Sequence, residues 1–216
     1  MSALFVDRRE AGRRLAPKLA RFAGRPQLIV LGLPRGGIPV AYEVASALHA
    51  RLDAFVVRKL GAPGREELAM GAVASGGVRV VNEEVVRYLG ITRQVFETIT
   101  EQEMQEVVRR DREYRMGRPF PTVRDTTVIL VDDGVATGST VLAGVHALRK
   151  FEPQSIIVAA PVMASESSRM LAQVADAVEY VATPEPFIGV GSHYEDFTQT
   201  PDEEVRRLLG EIAPVI

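Results

Sequence analysis

The stretch VILVDDGVATGST, residues 128–140, decides how the rest of the chain is read. Its first four residues form a short apolar run of the kind found in strands buried on both faces of a parallel sheet. Two adjacent carboxylates, Asp132 and Asp133, are delivered at the exit of that strand. Gly134, Val135, Ala136 and Gly138 follow, with the hydroxyls of Thr137, Ser139 and Thr140, and lead into the start of a helix. Free backbone N–H groups at a positive helix end, with small hydroxyls around them, make a socket for a phosphate monoester. Carboxylates beside such a socket are repulsive unless they meet sugar hydroxyls or a divalent cation. Together the two halves specify a phosphorylated sugar.

Upstream, QLIVLG (27–32) is a second apolar run, closed by LPRGG and followed by a helical stretch, IPVAYEVASALHA (38–50), with Pro39 in its first turn. DAFVVRKL (53–60) reads as the next buried strand. Strand, helix, strand is a βαβ unit, which requires a parallel sheet. Downstream the rhythm continues with a helix over about 139–150, the strand SIIVAAPV (155–162), a helix over about 166–175 and the strand AVEYVA (177–182). The fold class is therefore α/β: a doubly wound five-stranded parallel sheet with an inserted lid or hood region.

Four regions follow. Residues 1–26 hold an N-terminal amphipathic helix assigned to the hood, with Asp7 and Glu10 at capping-box spacing. Residues 27–60 and 126–182 form the α/β core. Residues 61–125 break the alternation and read as an insertion standing off the sheet. Gly76-Gly77 suggests a hairpin there, Asn82 caps a short helix, and Thr92 caps a long helix running to about Met116. Residues 183–216 are a polar and aromatic tail and a last helix, opened by Thr200 as cap with Pro201 and Glu203 behind it.

Composition narrows the chemistry. The chain has 216 residues with no cysteine, which removes thiolate catalysis and Cys-ligated metals. A formal net charge of −2 exerts no general pull on nucleic acid. No apolar stretch approaches the length of a membrane span, and no signal-peptide pattern follows Arg8 and Arg9, so a cytoplasmic location without membrane partners is expected. Of the 26 basic residues, only Lys18, Lys59 and Lys150 are lysine.

The 128–140 segment resembles the phosphoribosyl pyrophosphate motif of the type I phosphoribosyltransferase family. A plain strand-end acid before a capped helix is the bland alternative. In that family the acidic pair serves the ribose hydroxyls and the following loop holds the 5-phosphate. Leu33-Pro34-Arg35-Gly36-Gly37 is similar to the family's pyrophosphate loop, whose peptide before the basic residue is often cis. Arg58 and Lys59 resemble a basic pair that faces the pyrophosphate in several members. The resemblance implies Mg²⁺ as cofactor, with Asp132 and Asp133 as metal-facing carboxylates, and transfer of ribose 5-phosphate to a small base with release of pyrophosphate. It assigns Asp132, Asp133, Arg58 and Lys59 to catalysis, and Arg35, Gly36, Gly37 and residues 134–140 to binding the donor. Members acting on 6-oxopurines carry Asp where this chain has Ala136, so those bases are disfavoured. The resemblance also makes a homodimer an expectation.

Lid candidates are Arg65, Glu66 and Glu67, or Tyr114, Arg115 and Arg118. Base-contact candidates are Phe187, His193, Tyr194 and Phe197. Two other classes stay open: a regulator that senses phosphoribosyl pyrophosphate and meets nucleic acid or protein, and a sugar-phosphate hydrolase. Nucleic acid is disfavoured because the densest basic run, around Arg109 to Arg118, is interleaved with Asp111 and Glu113.

Overall fold

The computed structural model describes residues 3–212, apart from the side chain of Glu67. In chain order the elements are α1 (Arg8–Leu15), a 3₁₀ helix (Ala16–Phe22), β1 (Leu28–Gly32), α2 (Gly37–Leu48), β2 (Arg51–Ala54), β3 (Val57–Ala62) and β4 (Arg65–Ala74). There follow β5 (Val78–Val81), α3 (Glu83–Tyr88), α4 (Arg93–Arg115), β6 (Thr127–Val131), α5 (Ser139–Arg149) and β7 (Ser155–Val162). α6 (Ser165–Leu171), β8 (Ala177–Ala182) and α7 (Asp202–Glu211) complete the fold.

Five strands make one parallel sheet in the order β2-β1-β6-β7-β8. Alternation within the apolar runs divides the core in two. Val30, Ile129, Val131 and Ile157 face α1, α2, α4 and α7, whereas Ile29, Leu31, Val128, Leu130 and Ile156 face α5 and α6. Every residue of β1 and β6 is buried. Full burial of an aliphatic side chain is worth about 1.5–3 kcal/mol, so these two central strands anchor the fold. The helix after β1 covers one face and the helix after β6 the other. The winding therefore reverses between these neighbours, and the crevice at their carboxyl ends is where such sheets bind ligands.

The apolar run over 53–60 is not one strand. It divides at Phe55-Val56: β2 closes the edge of the parallel sheet, and β3 opens a separate antiparallel sheet, β3-β4-β5. That smaller sheet does not stand off the core. Leu60, Met70 and Val73 share an apolar cluster with α4, and Ala74, Val57 and Val80 share the other with α5. The Gly76-Gly77 turn and the Asn82 and Thr92 caps lie where the sequence put them; both cap side chains accept an N–H three residues on. Asp7 caps α1 by accepting from Glu10 N–H, but α1 gives way to a 3₁₀ turn at Ala16, just before Pro17. At α7 the expected cap is absent: Pro201 occupies the cap position with no side-chain bond, and Thr200 is buried.

A buried ionic clamp fixes the step from β2 to β3. Arg115, 1% exposed, pairs with Asp53 at 2.8 Å and Asp111 at 2.6 Å and donates to the Ala54 carbonyl. The Ser75 hydroxyl donates to Asp111 and accepts Val56 N–H. Burial pushes the Asp53 carboxyl up, and the Arg115 charge opposes that rise. Arg115 and its neighbour Tyr114, also 1% exposed, are thus interior residues and not part of a lid. Arg118 is exposed just past the end of α4, and Arg65 and Glu66 are exposed at the β3–β4 tip; the Glu67 side chain lies outside the described residues.

Candidate functional site

The loops after β1 and β6 meet at the crevice. Gly138 has φ +73°, a conformation that favours glycine, and a side chain there would also strike Met170. Its kink starts α5 at Ser139 and leaves the first-turn N–H groups without helical acceptors. Thr137 and Ser139 place their hydroxyls 3.2 Å apart beside those groups. Ser167 supports the loop from outside by donating to the Ala136 carbonyl. The result is an N–H-rich cradle with hydroxyls on its rim.

The Pro34–Arg35 peptide is cis. Gly36 and Gly37 prove necessary for loop contact as well as for an open backbone. A Cβ on Gly36 would overlap the Asp133 carboxylate, and one on Gly37 would come within 2.8 Å of the Val131 carbonyl and 3.0 Å of Asp132 Cα. The two loops are interlocked. Arg35 is partly exposed, with Nη1 3.7 Å from Asp202 Oδ2, and Tyr114 donates to the other oxygen of Asp202 at 2.6 Å. The start of α7 therefore braces the Arg35 loop.

Asp132 and Asp133 are partly buried. Burial, reinforced by the neighbouring charge of Asp133, holds the Asp132 carboxyl well above the usual range. Asp133 is also pushed up by burial, against the pull of Arg8. Arg8 is the functional-site residue that sequence reasoning missed. Its Nε donates to Asp133 Oδ2 at 2.8 Å, Nη1 donates to the Thr198 carbonyl at 2.7 Å, and its guanidinium lies 3.9 Å over the Phe197 ring. Tyr194 donates to the Asp133 carbonyl at 2.5 Å. Nothing local in the sequence marks Arg8, which lies 125 positions from its partner. A cavity of about 310 Å³ opens here, bounded by Arg8, Arg35, Gly36, Asp133 and Phe197.

The basic pair on β3 divides. Successive strand residues point to opposite faces, so Lys59 reaches Ser139 Oγ at 3.3 Å while Arg58 turns to α4 and pairs with Glu103 at 2.6 Å. The structure brings Lys59, the 134–140 loop, the 33–37 loop and the acidic pair together; it does not bring Arg58 to them. In the tail, Tyr194 and Phe197 are engaged in holding Asp133 and Arg8. Phe187 packs at a 50° tilt, centroids 5.3 Å apart, against His193, a buried imidazole whose Nε2 has no partner among the described residues and whose pKa is lowered by burial.

Among the described residues no group of three or more His, Asp or Glu side chains could hold a metal ion, and no helix is long and apolar enough to cross a membrane. The carboxylates of Asp132 and Asp133 are a donor set too small for a resident ion. A pair of carboxylates fits only an ion that keeps most of its waters and takes its remaining ligands from elsewhere, as Mg²⁺ would.

A doubly wound sheet with an acidic strand end, an N–H-rich cradle and an interlocked Arg-Gly-Gly loop defines the class. The phosphoribosyl transferase domain model matches residues 7–195, and the chain belongs to that family. Two Mycobacterium tuberculosis sequences, from strains CDC 1551 and H37Rv, carry the provisional name phosphoribosyl transferase; each is 43% identical over 206 residues, 95% of this chain. The chain spans about half the length of these curated relatives, 46% of each. The crystal structure of TT1426 from Thermus thermophilus is similar throughout, with TM-score 0.88 and 40% identity, covering 97% of this chain and 99% of that one.

Proposed function

We propose that the protein is a phosphoribosyltransferase that moves ribose 5-phosphate from phosphoribosyl pyrophosphate to a nitrogen base and releases pyrophosphate. The observation that carries this reading is the interlock of the 33–37 and 132–140 loops at the point where the sheet reverses its winding, with Lys59 3.3 Å from Ser139. The cradle of residues 134–140 takes the 5-phosphate through backbone N–H groups. Asp132 and Asp133 accept from the ribose hydroxyls and lie near the ring as positive charge develops on it. Arg35, the Gly36-Gly37 backbone and Lys59 receive the leaving pyrophosphate. Bond breaking at C1 passes through an oxocarbenium-like transition state, so the work of the protein is placement and fixed charge. Mg²⁺ bound to the donor would neutralise the negative charge growing on the leaving group. Arg58, committed to Glu103, has no part in this scheme.

Of the tail rings, Tyr194 and Phe197 are engaged at Asp133 and Arg8, so Phe187 is assigned to stack on the base. With Ala136 where a carboxylate would read a 6-oxopurine, hypoxanthine, guanine and xanthine are disfavoured as acceptors.

The test is pyrophosphate release from phosphoribosyl pyrophosphate with Mg²⁺ and a panel of bases. Turnover is expected with at least one base outside the 6-oxopurines, and Lys59→Ala should lower kcat while Arg58→Ala leaves it near wild type. Saturable donor binding without turnover on any base would overturn the enzyme and leave a sensor.

A further inference from the structure

We propose that the outer face of α4 is a homodimer interface, covered by α4 of a second copy of this chain running antiparallel to it. α4 buries Phe96, Thr100, Val107 and Tyr114 against the body of the protein. Beside that stripe, Glu97, Glu101, Met104, Val108 and Arg112 recur at intervals of three and four and form a second, outward stripe. With Arg79 of β5 they line an open groove of about 750 Å³. Val108, at the centre, is 56% exposed.

The order of charge along this stripe identifies the occupant. Acidic residues lie at its N-terminal end, apolar ones at the centre, and Arg112 at its C-terminal end. Glu97 is already paired with Arg79 at 2.8 Å, and Arg109 with Glu106 and Glu113. Among the described residues Glu101 and Arg112 have no ion-pair partner, and both are exposed. A two-fold axis midway between Met104 and Val108 sets Met104 of each copy on Val108 of the other. Glu101 lies three residues before Met104 and Arg112 four after Val108, about 4.5 and 6 Å along the helix, so each Glu101 then faces the other copy's Arg112. Each charge then gains one partner and the Glu101–Arg112 pair occurs twice, as an isologous contact requires. A parallel arrangement would oppose like charges.

Sedimentation equilibrium of the full chain tests this. The expected result is a monomer–dimer equilibrium that weakens with added salt. E101R or R112E alone should weaken self-association at least about tenfold, because each creates two like-charge pairs. An equimolar mixture of the two variants should recover the dimer, since every swapped charge then meets its opposite. Melting temperatures close to wild type would show that both variants fold. A chain that stays monomeric at all concentrations, a dimer indifferent to both substitutions, or a mixture that fails to reassociate would each overturn the proposal.

Discussion

Arg8→Gln removes the cation from Asp133 while keeping a hydrogen-bonding side chain of similar reach. The side chains of Arg8 and Asp133 are only 10% and 15% exposed. Removing one partner of a fully buried pair costs about 3–5 kcal/mol; a site with some solvent contact, and a carboxylate able to take up a proton, places this one nearer 2–3 kcal/mol. At about 2–4 °C per kcal/mol for a chain of this size, Tm should fall by roughly 4–12 °C. The loss depends on pH with a definite sign. Burial already raises the folded-state pKa of Asp133, and Arg8 is what opposes the rise. Without Arg8 the folded pKa climbs further, and stability contributed by a raised pKa is present at low pH and lost as pH rises through the folded value. The gap between wild type and variant should therefore be small in acid and widen toward neutral and alkaline pH. Urea unfolding from about pH 5 to about pH 8 measures it. A gap independent of pH, or one below about 0.5 kcal/mol throughout, would refute the assignment of Arg8 as the counter-charge of Asp133.

Asp132→Asn should raise the Tm of the ligand-free protein at alkaline pH, because Asn keeps an acceptor for the Asp133 N–H while removing a carboxyl whose ionisation burial opposes. The gain should shrink as pH falls, and calorimetry across pH would expose the opposite trend. Donor affinity, measured by calorimetric titration, should fall in the same variant, a trade of function for stability. Gly36→Ala and Gly37→Ala should differ: the first displaces the Asp133 carboxylate from Arg8 and lowers both donor affinity and Tm, whereas the second meets backbone at Val131 and Asp132 and mainly lowers Tm. Equal effects of the two on both measurements would contradict the interlock.

The parts of this molecule legible in the sequence are those whose causes are local. Strands buried on both faces read as unbroken apolar runs, and caps such as Asn82 and Thr92 act within three residues. The same property hid the division at Phe55-Val56: both sides of the break are buried, so hydropathy does not change where the chain leaves one sheet for another. Strand alternation sends Lys59 and Arg58 to opposite faces, but which face meets the 134–140 loop is decided only by the packing of α5 on one side of β3 and α4 on the other. Arg115 read as a lid candidate because its i,i+4 partner Asp111 suits an exposed helix equally well, and the partner that marks it as interior, Asp53, lies 62 positions away in β2. The Thr-Pro-Asp-Glu start of α7 has the right composition for a cap, yet Thr200 is drawn into the interior. Arg8 is the extreme case, since its role exists only once α1, the β6 loop and the tail have assembled.

That assembly links donor recognition to the packing of α1 and the tail. Asp133 is touched at once by Arg8 from α1, by the Gly36 turn and, through its backbone carbonyl, by Tyr194. If ribose hydroxyls bind this carboxylate as proposed, they bind one whose charge and position depend on Arg8. Linkage is reciprocal, so whatever Arg8 contributes to donor affinity the donor must return as stability of the Arg8 contact. Ligand stabilisation grows as RT ln(1 + [L]/Kd), so saturating donor should widen the Tm difference between wild type and Arg8→Gln. A difference unchanged by donor would place the ribose elsewhere, while leaving the ion pair as a structural tie.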